Sequence, residues 1–113
     1  MQNAIPLLSL PILASGVLVA NRFVSPAGAT AAAAGNSYGV NRTAAAIGDR
    51  VTLDVLGTTM VESGAAIAAG ALIEADATGR AVTKSAGVTL GRLAPGESAS
   101  AAGQLVEVIL IPN

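Results

Sequence analysis

The sequence predicts an all-β fold, a small β-sandwich or barrel-like domain with an extended N-terminal arm, and three observations lead there. Apolar and polar residues alternate at the two-residue period of a strand in residues 51–55 and 104–111. Glycine and proline turn signals separate short segments of this kind along most of the chain. The segment 46–55 is echoed at 101–110, with Gly48 matching Gly103 and Val51, Leu53 and Val55 matching Val106, Val108 and Leu110. One such pair is too little for a solenoid, which normally needs three or more repeats, and it suits two half-sheets closing on each other.

Residues 1–14 read as an extended arm. Pro6 and Pro11 forbid a continuous helix and bias Ile5 and Leu10 toward extended geometry. Such a segment cannot bury itself. Ile5, Leu7, Leu8, Leu10, Ile12 and Leu13 must therefore lie either on the chain's own domain, as an edge strand, or on a neighbouring subunit. The positive n-region of a secretory signal is missing from the first three residues, although residues 7–13 mimic its apolar region. The broken apolar stretch 5–20 also falls short of the roughly 20 residues of a membrane-spanning helix.

Residues 15–113 form a single β-domain, one domain being what 113 residues normally support. Residues 15–23 are apolar on both sides, which predicts a strand buried on both faces or held at an interface, and residues 25–28 stop it. The alanine-rich run 29–35 is too short to hold a helix alone and reads as strand or irregular chain. In residues 51–55, Val51, Leu53 and Val55 share one face while Thr52 and Asp54 share the other. Gly57-Thr58 predicts a turn, with residues 59–62 returning as the second strand of a hairpin. Residues 65–69 are a small-residue connector with room for one helical turn. Residues 71–75 and 80–83 flank a turn at 76–79, where the Asp76 carboxylate accepts from backbone N–H groups and Gly79 takes a positive φ. A short strand at 88–93, a turn at Pro95-Gly96 and a last strand at 104–111 complete the domain. That last strand ends apolar on both faces, as a central or interface strand does.

The composition excludes much chemistry. There is no Cys, His or Trp, so disulfides, thiolate nucleophiles, imidazole bases and the usual zinc ligands are absent. A net charge of −1 leaves no electrostatic footprint for nucleic acid or anionic lipid. Glu74 and Asp76 could pair as carboxylates, but only one Tyr and one Phe are present to line a sugar cleft, and a solvated edge and a turn cap are the plainer roles. Lys84 and Ser85 are adjacent and would point to opposite faces of a strand. Neither a P-loop nor a dinucleotide fingerprint occurs, and the sequon at residues 41–43 reads as a chance match. The chain is therefore expected to be no enzyme and to need no cofactor. Arg side chains favour partly desolvated contacts. Arg22, with its neighbour Phe23, and Arg80, beside the turn, join the arm residues as candidates for a partner interface.

The run from Gly48 through Gly57, residues 61–73 and 76–81, Gly91-Arg92-Leu93 and residues 103–108, taken in that order, resembles the small capsid cement, or head decoration, proteins of tailed bacteriophages and prophages. The resemblance covers about residues 15–111. It implies a compact β-domain, often a homotrimer, made in the host cytoplasm and placed on the outer surface of the virion. There it would meet the major capsid protein where capsomers join and staple neighbouring subunits, with no nucleic acid or membrane as partner. A β-domain adhesin or tail-fibre module binding a cell-surface ligand is the alternative, and a shell-forming subunit a third reading.

Overall fold

The computed structural model describes residues 4–111, and among them there is no helix. Eight strands follow in chain order: β1 (Ile5–Leu13), β2 (Arg22–Val24), β3 (Gly39–Asn41), β4 (Arg50–Glu62), β5 (Leu72–Ala75), β6 (Ala81–Thr83), β7 (Gly91–Leu93) and β8 (Leu105–Leu110). They form one sheet in the order β2-β3-β4-β8-β7-β5-β6, with β1 added on β4, and the named pairs are antiparallel.

The two ends of that path meet. Phe23 N donates to Gly79 O at 2.8 Å, bringing β2 to the turn between β5 and β6. Gly64 N donates to Ala81 O at 2.8 Å, tying the end of β4 to β6. The sheet is thereby nearly closed into a barrel, which removes most of the unpaired edge that an open sheet would present. The all-β, barrel-like expectation holds.

The interior is built from the alternation seen in the sequence. Phe23, Val40, Val61, Ile73, Leu93, Val106 and Val108 are 0–2% exposed and belong to the main core. A second cluster of Ala14, Leu18, Val24, Ala45, Val51 and Leu53 lies under β1, with Ile12 packed against it. Segments 46–55 and 101–110 run into β4 and β8, neighbours in the sheet, and Gly48 and Gly103 take φ values of 90° and 86°.

Several local expectations yield to longer-range pairing. Gly57-Thr58 makes no turn: β4 is one strand of 13 residues, and Gly57 with φ 98° sits where it bends. β1 pairs along one side of β4 from Arg50 to Thr58, while β3 and β8 take its other side, so continuous partners outweigh a local turn signal. Residues 15–23 do not form one doubly buried strand. Leu18 alone bridges to Ala45, and Asn21, in the left-handed region at φ 63°, turns the chain before β2. Residues 65–69 take no helical turn, because Ile67 pairs with Ala99 and is buried. The second hairpin stands as expected, with Thr78 N and Arg80 N donating to Asp76 Oδ1, both at 2.9 Å.

Candidate functional site

Among the described residues β1 is the only strand off the closing path of the sheet, and its side chains show the consequence. Ile5, Leu7, Leu8 and Leu13 are 56%, 74%, 44% and 60% exposed, whereas Leu10 and Ile12 turn partly inward over Leu53 and Val51, their register partners. Two register shifts accompany this. Leu7 is the extra residue of a bulge in β1 and Val55 the extra residue of one in β4.

The bulged pairing needs glycine at position 57. A Cβ there would lie 2.3 Å from Ile5 O and 2.8 Å from Leu7 N, so any side chain would push the arm away. Ile5 N also donates to Thr58 Oγ1 at 3.0 Å. The arm is thus specified as an edge strand on β4, one of the two placements open in the sequence.

The apolar surface continues past the arm. Ala14 is buried, its N donating to Asp49 O and its O accepting from Gly48 N, both at 2.8 Å. Beyond it Val17 and Val19 are 70% and 47% exposed on either side of buried Leu18, and Ile47 is 69% exposed on the turn that holds Ala14. Of the two readings of residues 15–23, a strand buried on both faces or one held at an interface, the first fails because Val17 and Val19 face solvent. No charged residue occurs before Arg22, and that absence was the available sequence signal for the extra members of the strip.

Beneath β1 lies a polar hub that alternation misplaced. Asp54 belongs by period to the solvent side with Thr52, yet it is 2% exposed. Its Oδ1 accepts from Ser9 Oγ at 3.1 Å, and its Oδ2 accepts from Arg42 Nε at 2.6 Å and Thr59 Oγ1 at 2.8 Å. The bulge at Val55 bends β4 so that Asp54 and Thr59 meet, and a buried carboxylate persists only where donors satisfy it. Asp54 therefore joins the arm, the chain after β3 and both halves of β4.

The remaining candidates are occupied within the chain. Phe23 is 1% exposed and packs in the main core. Arg22 Nη2 reaches Glu62 Oε1 at 3.3 Å, Arg80 Nη1 lies 3.7 Å from Glu62 Oε2, and Arg80 Nε donates to Asp76 Oδ2 at 3.2 Å. These pairs stitch the seam where β2, the end of β4 and the β5–β6 turn converge, with both arginine side chains still partly exposed.

Glu74 caps a loop: its Oε1 accepts from Ser85 N at 2.7 Å and Gly87 N at 3.0 Å, and these bonds hold its carboxyl below the usual value. For Asp76, burial pushes the pKa up, but the backbone N–H groups of Arg80 and Thr78, the Thr78 hydroxyl and the Arg80 charge together outweigh it and the net direction is down. Asn41 of the sequon is fully buried, its amide donating to Val19 O and Thr43 O. Among the described residues no group of three or more acidic side chains could hold a metal, and no helix is long and apolar enough to cross a membrane.

The geometry displays apolar contact surface along β1 and its continuation. A structure described as the head fiber gp8.5 N base in bacteriophage phi29 superposes with a TM-score of 0.75 and 23% identity, over 92% of this chain and 93% of that one. The barrel with its added strand is therefore a shared fold. No curated protein matches the chain. The family model for phage cement proteins matches residues 1–110, arm and barrel together, and the chain belongs to that family of virion-associated structural proteins.

Proposed function

We propose that this protein decorates the outside of a phage head, binding where capsomers meet and holding neighbouring major capsid subunits together. The observation that carries the reading is the uncharged strip running from Ile5 to Val19, with four large aliphatic residues of β1 at least 44% exposed in a chain of the cement family. Apolar side chains so displayed gain from being covered.

The magnitude favours many weak contacts over one strong one. Fully burying a Leu or Ile is worth about 1.5–3 kcal/mol, so covering four half-exposed ones yields roughly 3–6 kcal/mol before ordering costs. Alone that supports binding no tighter than about the millimolar to micromolar range. A homotrimer docking on a symmetric lattice would multiply such contacts into stable retention. The role needs no catalysis and no cofactor, in keeping with the missing Cys and His.

The test adds purified protein to expanded heads lacking it. Binding and a rise in the temperature or chaotrope concentration of head disruption are expected, and Leu7→Asp should weaken both. Decorated and bare heads of equal resistance would overturn the stabilising role. A second reading, favoured by the fold shared with a head-fibre base, is that the barrel anchors a fibre presenting a ligand-binding module. Under that reading the protein binds heads without strengthening them, and a fibre-forming segment or partner accompanies it.

A further inference from the structure

The arm has a backbone edge as well as side chains, and its two prolines decide what that edge can do. Among the described residues β1 pairs only with β4, so its outer edge carries no strand. In an antiparallel strand the N–H and C=O of one residue point to one side and those of the next to the other. Which residues of β1 point outward is fixed at both ends. Ala14 N donates to Asp49 O and Ala14 O accepts from Gly48 N, both at 2.8 Å, so Ala14 faces the β4 side. Pairing is regular from Ser9 to Leu13, and alternation therefore turns Leu10 and Ile12 toward β4 and Ser9, Pro11 and Leu13 away. Ser15 keeps the same phase, its N donating away from β4 to Gly28 O at 3.0 Å. At the other end Ile5 N donates to Thr58 Oγ1 at 3.0 Å and Ile5 O packs against Gly57, so Ile5 faces β4 and Pro6 faces away.

Both prolines thus stand on the outer edge. Proline has no N–H to give to a ladder, and on the inner edge each would have removed a bond to β4. Leu13 O packs against Gly28, so the far end of the edge is already covered by the chain's own turn. Of the outward residues Pro6, Ser9 and Pro11, Ser9 alone keeps an N–H. An exposed apolar edge strand is otherwise a template for pairing with any extended chain, a second copy included.

We infer that Pro6 and Pro11 close the outer edge of β1 to strand addition, so that the arm meets a partner through its side chains alone. With the shell as that partner, which rests on the function proposed above, the contact is selected by side-chain shape and apolarity. A backbone ladder would accept extended segments with far less discrimination. The same two residues keep free copies from extending one another's sheets.

Two double variants of the full chain test this, Pro6→Val with Pro11→Val and Pro6→Thr with Pro11→Thr, each restoring two outward amides while leaving the bonds to β4 alone. Both should stay folded by circular dichroism. Both should self-associate more strongly in sedimentation across a concentration series, by roughly tenfold or more, since two recovered hydrogen bonds are each worth a factor of about 2–12. Threonine carries a hydroxyl where proline has a hydrocarbon ring, so a rise with Val and none with Thr would assign the effect to apolarity and overturn the inference. Parent-like sedimentation of both pairs would overturn it too. Should a double variant unfold, the single Pro11→Thr, in the regular stretch of β1, carries the same comparison. On decorated heads the Ser9 amide should exchange faster than that of Leu10, which points to β4; Ser9 slowed to the Leu10 rate would show an added strand and refute the closed edge. Sedimentation uses free protein, so its failure leaves the head-binding reading standing, and failure of head binding leaves the sedimentation result standing.

Discussion

Replacing Asp54 by Ala removes one acceptor group from three donors, and their different surroundings set the cost. Thr59 is 1% exposed, so its hydroxyl would lose its acceptor inside the protein, at about 1–3 kcal/mol. The Arg42 side chain is 48% exposed, so water takes over much of its solvation and the lost ion pair costs no more than about 1 kcal/mol. Ser9 is exposed, and its bond is worth about 0.5–1.5 kcal/mol. Together Asp54→Ala should cost roughly 2–5 kcal/mol, a large share of the ~5–15 kcal/mol typical of a folded domain. Asp54→Asn, which keeps one acceptor oxygen, should cost less. Urea unfolding followed by circular dichroism measures both, with an unchanged m-value expected. The reasoning contains its own control: adding Thr59→Val to Asp54→Ala removes the orphaned hydroxyl and should restore about 1 kcal/mol or more. An Asp54→Ala protein within about 0.5 kcal/mol of the parent, or a double variant with no recovery, would refute the hub.

Gly57→Ala must abandon either its φ of 98° or the close approach of Ile5 O, so the arm should lift from β4 at a cost of about 1–2 kcal/mol; hydrogen exchange at Leu7 and Leu8 should quicken, and unchanged protection there would count against the role given to Gly57. Deleting residues 1–13 should leave the barrel folded by circular dichroism, because the main core takes no residue from the arm, while head binding falls; an unfolded product would make the arm part of the core. Phe23→Ala should cost about 3–5 kcal/mol in the same unfolding experiment, as a fully buried aromatic does. Glu74 and Asp76 have folded pKa values below their ordinary 4.5 and 3.8, so their stabilisation is fully present above those values and is lost as the pH falls through the lower folded ones. Acid titration of stability should therefore flatten in Glu74→Gln, and a curve identical to the parent's would disprove that contribution.

Much of the barrel was legible because strand period, turn chemistry and glycine placement are local properties. Asp76 and Gly79 announce their turn, and Val106, Val108 and Leu110 announce an inner face that the structure keeps. The readings that moved were those in which a local signal competed with pairing across the fold. Gly57 carries the same positive φ in a bulge as in a turn, and only the presence of β1 beside it selects the bulge. Asp54 obeys the alternation until the bend at Val55 turns it inward toward Thr59.

The sequence by itself determined the chemistry on offer: an all-β chain without Cys, His or an early charge, opening on a proline-broken apolar arm that must be covered by something. It also pointed to the cement family through the order of its segments. The tertiary structure alone decided which apolar residues were spent on the interior and which were left outside. Phe23 and Leu18 went in, Val17, Val19 and Ile47 stayed out with Leu7, and Arg22 and Arg80 closed the seam of the barrel. Hydrophobicity states that a side chain gains from burial, but the neighbour that provides it comes from a strand far away in the chain. For Leu7, 74% exposed on a strand that pairs only with β4 among the described residues, no such neighbour is in place.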